Sequence, residues 1–269
     1  MSDRKIIDRK PNPRSVGVPP NLEQAGVYPM EFRECALEGW RSPEQVEWLE
    51  IGDEELGRGS FGIVYRGRIK FQGAKSTHVA VKRLKEELRK EHTGTGMSDE
   101  LAVQYQRCIC DLRAEGVRMP HLSMLKADDG EWVMVMEAFE RGHHSKFDDN
   151  VHAFNSDASR GFYARTLAGI VNARYYPVPD AFQSVNGGEM LFLLDLDEIA
   201  RHRASTLGEV HGNIRRAVEM IRYVEMDHNI SAPSVERHRL RDEMLSQFQS
   251  ALRMPGDREY AAGWIAGLR

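Results

Sequence analysis

Between residues 50 and 90 the apolar positions are β-branched and cut by glycines. Gly62-Ile63-Val64-Tyr65 and His78-Val79-Ala80-Val81 are examples, and the pattern predicts strands. The period changes after residue 98. Over 98–115 Leu101, Tyr105, Cys108 and Leu112 recur at spacings of four, three and four, which predicts a helix. Ser98-Asp99 serves as its N-cap, Gly116 ends it, and Pro120 prevents its return. A strand pair follows, His121 to Lys126 and Trp132 to Met136, joined by the Asp128-Asp129-Gly130 turn. Downstream the pattern predicts a helix over about 157–173, a short strand pair around Gly187-Gly188, and helices over about 207–227 and 233–252. Residues 1–25 carry four prolines, several charges and no periodicity, and read as a flexible arm. From 26 to 50 the composition is mixed, and Trp40 and Trp48 point to a segment that packs onto something.

Strands first, one helix inserted among them, then mostly helix is an α+β order. It suits a small antiparallel-sheet lobe followed by a helical lobe, with a cleft between. The expected division is an arm (1–25), an N-terminal extension with the small lobe (26–139) and a helical lobe (140–269). A chain of 269 residues has room for this. The net charge of −4 and pI near 6.2 argue against a general nucleic-acid binder. Cys35, Cys108 and Cys110 show no metal-ligand spacing, and their odd number fits no disulfide framework, so a reducing compartment is the simpler expectation. The N-terminus has no apolar h-region, and no run approaches the ~18 apolar residues of a spanning helix. A cytoplasmic location is expected, with peripheral contact at the inner face of a membrane left open.

The most informative string is Leu56-Gly57-Arg58-Gly59-Ser60-Phe61-Gly62-Ile63-Val64-Tyr65. Dinucleotide-binding folds also carry GxGxxG, but there the glycines open a helix and an acid follows about 20 residues on. Here strand residues follow, so the glycines sit in a hairpin. Twenty residues past Gly62 stands Lys82, ending Val79-Ala80-Val81-Lys82. A lysine ending an apolar strand is costly to bury without a partner. A nucleotide phosphate and a helix carboxylate would supply two. The alternative is a glycine hairpin beside a surface lysine.

The glycine loop and the Val-Ala-Val-Lys strand together resemble the ATP-binding signature of protein kinases. The resemblance implies a two-lobed protein-kinase-like fold and use of ATP with Mg²⁺. It implies that Gly57, Gly59 and Gly62 admit the phosphates to backbone amides, that Val64 covers the adenine, and that Lys82 holds the α- and β-phosphates. Glu100, eighteen residues after Lys82, is the best match for the helix glutamate that pairs with the lysine. Counting back from Leu112 instead lands near Gln104 or Tyr105, where there is no carboxylate, which leaves Glu100 open to being only a first-turn acid favourable to the helix dipole. Trp132 to Phe139 resembles the last small-lobe strand running into the hinge. Met136 would line the back of the adenine site, and backbone groups of Glu137 to Phe139 would bond the base.

The second half departs further from the pattern, for it contains no His-Arg-Asp string. Met190-Leu191-Phe192-Leu193-Leu194 is an apolar run ending in Asp195, and a carboxylate delivered there by a strand wants a cation. Asp195-Leu196-Asp197 resembles the Asp-x-Asp metal end of small-molecule kinases in this superfamily, making Asp195 a Mg²⁺ ligand and Asp197 a second candidate. Asp180, fifteen residues earlier, matches the catalytic base. The family's metal-binding asparagine would fall at Val185, and Asn186 stands one residue late. Either Asn186 reaches the site, or Gln183 substitutes, or the second metal position is degraded.

From about residue 50 to 252 the layout resembles the bacterial lipopolysaccharide core kinases that act on heptose and Kdo. That likeness adds the helix ending Leu112-Arg113-Ala114-Glu115-Gly116-Val117, and Leu-Asp-Leu-Asp followed by Val210-His211-Gly212-Asn213-Ile214-Arg215-Arg216. About 75 residues remain after Asp195, with no Ala-Pro-Glu string, which favours a small acceptor, while the small lobe reads equally well for a protein kinase. The acceptor these resemblances imply is a sugar hydroxyl of a bacterial glycolipid or a protein Ser/Thr, close to even. A pseudokinase is the alternative. His143-His144 with Asp148-Asp149 reads as a metal cluster or a polar loop, and Arg215, Arg216 and Arg222 as a basic face or solvated charge.

Overall fold

A computed structural model of the chain describes residues 6–8, 46–58, 62–84, 98–117, 119, 122–126, 131–138, 144–146, 157–185, 190–193, 196–226 and 233–267. The protein is α+β and divides into two compact units. One is Met1–Cys110 with Pro120–Arg141; the other is Asp111–Met119 with Gly142–Arg269.

The first unit holds β1 (Ile6–Asp8), β2 (Val46–Arg58), β3 (Gly62–Phe71), β4 (Thr77–Leu84), β5 (Leu122–Lys126) and β6 (Trp132–Glu137) in one antiparallel sheet, ordered β1-β2-β3-β4-β6-β5. Within the segment read as an arm, Ile6–Asp8 is thus an edge strand on β2. One sheet face buries Val79, Val81, Val133, Val135, Leu125 and Ile69 in a single apolar cluster. Gly67 belongs to that packing, because a Cβ there would stand 2.7 Å from Glu50 O and 2.9 Å from Val81 Cγ2. The buried Glu131 pairs with Arg83 and ties β4 to the entry of β6.

Helix α1 (Asp99–Ala114) runs from the first unit into the second. Ser98 Oγ accepts from the Leu101 amide at 3.2 Å, so Ser98 is the cap. Tyr105, Cys108, Ile109 and Leu112 are fully buried. Gly116 adopts φ 73°, with Gly116 N–H bonding Arg113 O at 2.8 Å and Val117 N–H bonding Leu112 O at 3.0 Å. That pair of bonds with a left-handed glycine is a Schellman ending, the stop that Gly116 predicts. Cys110 is disulfide-bonded to a partner outside the described residues, which corrects the expectation of no disulfide.

The second unit is built on α2 (Asp157–Asn172), buried along most of its length and rich in small residues. The short helix α3 (Asp197–Arg201) precedes α4 (Leu207–Met226); α4 and α5 (Ser234–Ala251) pack on α2, and α6 (Pro255–Ala266) packs on α4 and α5. A small antiparallel sheet of β7 (His144–Lys146), β8 (Phe182–Val185) and β9 (Met190–Leu193) completes it. Tyr163 on α2 meets Phe182 on β8 edge to face, ring centres 4.8 Å apart. No helix among the described residues is long and apolar enough to cross a membrane.

Candidate functional site

In an antiparallel sheet, residues directly opposite share a face, and so do residues two apart on one strand. Gly57 on β2 lies opposite Val64 on β3, Val64 opposite Lys82 on β4, and Lys82 opposite Met134 on β6. Ala80 lies opposite Met136. These residues line the face opposite the valine cluster. Gly62 is on it too, and a Cβ at that position would stand 3.1 Å from Lys82 Cε and 2.6 Å from Arg83 O. The lysine stem therefore runs against the glycine, and only a residue without a side chain fits beside it. At Gly57 an added Cβ meets nothing within 4 Å. Packing inside the protein does not require a glycine there.

Helix α1 meets the same face at its first turn. Asp99 Oδ1 accepts from Trp132 Nε1 at 2.6 Å and from Lys126 Nζ at 3.0 Å, and Lys126 Nζ also stands 5.3 Å from the Trp132 ring centre. The indole bond first, and the ammonium second, hold the Asp99 carboxyl below its ordinary pKa. Gln106 Oε1 accepts from the Met124 amide at 3.4 Å. Glu100 is exposed, and among the described residues it makes no ion pair with Lys82. Asp99 is the acid of that turn that reaches the sheet. Sequence reasoning assigned it to capping and missed this, although its neighbour Ser98 alone completes the cap.

The remaining sequence-derived candidates fall in three groups. Met136 is buried in β6, and Glu137 ends that strand opposite Val79, while Phe139 and Gly59 lie outside the described residues. Asp180 stands in a 3₁₀ turn (Pro179–Ala181) leading directly into β8. Gln183 lies on β8 opposite Phe192. Asp197 is 2% exposed at the start of α3, whereas Asp195 and Asn186 lie outside the described residues, as do His143, Asp148 and Asp149. Among the described residues no three His, Cys, Asp or Glu side chains gather as metal ligands. Arg215 on α4 is exposed with its guanidinium 5.6 Å from the Trp264 ring centre, and Asn213 of the same helix is buried and donates to Tyr175 O at 3.0 Å.

Chemically, a lysine and two glycines converging on one sheet face offer a cation and approachable backbone amides, the two things a phosphate chain needs. Residues 51–160 match the family model described as protein tyrosine and serine/threonine kinase. No curated protein matches the chain. The matched stretch includes the glycine hairpin, the lysine strand, α1, β5 and β6, and ends in α2. The fold is thus α+β and protein-kinase-like, and over residues 51–160 the chain is similar to the protein tyrosine and serine/threonine kinases.

Proposed function

We propose that the protein is an ATP-dependent kinase that transfers the γ-phosphoryl group to a hydroxyl acceptor. The observation that carries the reading is the register setting Gly57, Val64 and Lys82 side by side on one face, with Gly62 against the lysine stem, inside the stretch similar to protein kinases. Lys82 takes the α- and β-phosphates, Val64 and Met136 flank the base, and backbone groups of Glu137 to Phe139 bond it. Asp180 accepts a hydrogen bond from the acceptor hydroxyl and orients it for attack. Asp195, with Asp197 and Asn186 or Gln183, offers the hard oxygen donors that Mg²⁺ takes, and this donor chemistry fits the ion. When bound, the ion neutralises phosphate charge. The residues themselves contribute positioning and preorganised charge.

Two acceptor classes stand level. The likeness of residues 51–160 to protein kinases favours a protein Ser/Thr. Asp195-Leu196-Asp197 and the Val210–Arg216 string favour the sugar of a bacterial glycolipid, in a cytoplasmic enzyme working at the inner face of the membrane. A second reading, a pseudokinase that binds nucleotide or a partner without efficient transfer, is favoured by the missing His-Arg-Asp string and by Val185 where an asparagine belongs.

Thermal unfolding with ATP, with and without Mg²⁺, separates these. A metal-dependent rise in Tm that Lys82→Ala and Asp195→Ala abolish is expected of the kinase. A rise indifferent to metal favours the pseudokinase, and no rise with any nucleotide removes both. Incubation with γ-labelled ATP and either envelope glycolipid or protein extract then identifies the acceptor by which fraction takes label.

A further inference from the structure

In the second unit one carboxylate holds two separate stretches of chain. Asp111, in the last turn of α1, accepts from Tyr175 Oη at 3.0 Å, and Arg203 Nη2 lies 3.4 Å from the same Oδ2. The Arg203 guanidinium is also 5.8 Å from the Tyr175 ring centre. The backbones agree with the side chains: Tyr175 and Arg203 form an antiparallel bridge, Tyr176 N–H bonds His202 O at 3.0 Å, and Ala204 N–H bonds Arg174 O at 2.6 Å.

Each stretch leads to a residue of the proposed catalytic set. Tyr175 is 1% exposed, its amide bonds Ile170 O at 2.9 Å, and its carbonyl takes the Asn213 bond. Five residues on is Asp180, and Pro177 and Pro179 restrict the backbone between them, so little slack separates the anchored tyrosine from the proposed base. On the other side, Arg203 lies two residues past α3, which begins at Asp197, itself two residues after Asp195.

We infer that Asp111 is a positioning residue: through Tyr175 and Arg203 it sets the segment carrying Asp180 against the segment that follows Asp195. The inference rests on the kinase reading of Asp180 and Asp195. A phenol buried this deeply needs a partner for its hydroxyl, and packing alone would accept phenylalanine. The second donor, from a chain segment 92 positions beyond Asp111, is what packing alone does not explain.

The test compares the parent with Tyr175→Phe, Asp111→Asn and the double variant. Turnover is read as ADP release from Mg·ATP with water as acceptor, alongside the Mg·ATP-induced rise in Tm and amide hydrogen exchange. Both single variants should lower kcat by about ten- to a hundredfold, the cost of misplacing a reacting group by about 1 Å. KM for ATP and the nucleotide-induced rise in Tm should hold. The N–H-bearing residues among 175–181 and 202–204 should exchange faster, and the double variant should be at least as impaired as either single one, since Tyr175→Phe removes the phenol bond and Asp111→Asn removes the charge facing Arg203. Parent-like kcat and exchange in both variants would overturn the inference while leaving the kinase reading intact. So would a loss of kcat accompanied by an equal loss of the nucleotide-induced rise. A parent with neither nucleotide-induced rise nor turnover removes the kinase reading and this inference together. Should Asp111→Asn fail to fold, Tyr175→Phe, which deletes a single oxygen, carries the test.

Discussion

Gly57 and Gly62 belong to the same glycine-rich hairpin, yet a side chain at each would meet different surroundings. At Gly62 the backbone oxygen of Arg83 and the Lys82 stem leave no room, so Gly62→Ala should unsettle the β3–β4 pairing by the 1–3 kcal/mol typical of overpacking, about 2 kcal/mol, read from urea midpoints. At Gly57 the space is open, so Gly57→Ala should leave the urea midpoint in place. If ATP phosphates approach that backbone, the same variant should weaken ATP binding in a titration, and unchanged affinity would remove Gly57 from the site. Asp99 makes a prediction about pH. Its carboxyl pKa is depressed in the folded state by the Trp132 and Lys126 bonds, so its contribution is present above the unfolded value, about 3.9, and is lost as pH falls through the folded one. Asp99→Asn should therefore lose less stability than the parent on acidification below that value, compared by denaturation at a series of pH values. That Lys82 ends a strand beside the glycine hairpin was legible from sequence, because the strand and the glycines are local patterns. The choice of Asp99 over Glu100 was not: adjacent helix residues point about 100° apart, and only the docked position of α1 selects one.

Among the elements, α4 opens with a reciprocal cap. Glu209 Oε2 accepts from the Thr206 amide at 3.0 Å while Thr206 Oγ1 accepts from the Glu209 amide at 3.3 Å. Thr206→Ala should cost about 1 kcal/mol, visible as a lower Tm. Helix α2 ends differently from α1, with a non-glycine in the left-handed region, Arg174 at φ 68°. Arg174 N–H bonds Val171 O at 2.8 Å and Tyr175 N–H bonds Ile170 O at 2.9 Å, the same ending that Gly116 makes. Arg174→Gly should relieve a strain of about 1 kcal/mol and raise Tm, which calorimetry would register. Elements with a long regular period were readable within a residue or two, as the predicted 98–115, 207–227 and 233–252 show against Asp99–Ala114, Leu207–Met226 and Ser234–Ala251. Helix α6 was missed. Its glycines at 256 and 263 blur the period, and Pro255 at the first helical position was the one local signal for it.

At the scale of the whole molecule, nucleotide binding should act as a ligand that stabilises the native state. At about a hundredfold excess of Mg·ATP over Kd the gain is about 2.7 kcal/mol, and Lys82→Ala should remove most of it without lowering the ligand-free Tm by a comparable amount. A fall in ligand-free stability as large as the lost gain would mean that Lys82 serves the fold instead. The α+β order, the hairpin character of the glycine loop and the helix stop at Gly116 were determined by the sequence alone, because each depends on residues within a few positions of one another. Tertiary structure alone decided the partnerships across distance. Asp99 meets Trp132 over 33 positions and Asp111 meets Tyr175 over 64, and register sets Val64 and Lys82 on the face opposite the valines. The reason is physical: a period says which residues share a side of their own element, while the element that covers that side is chosen by packing and polar satisfaction across the folded unit.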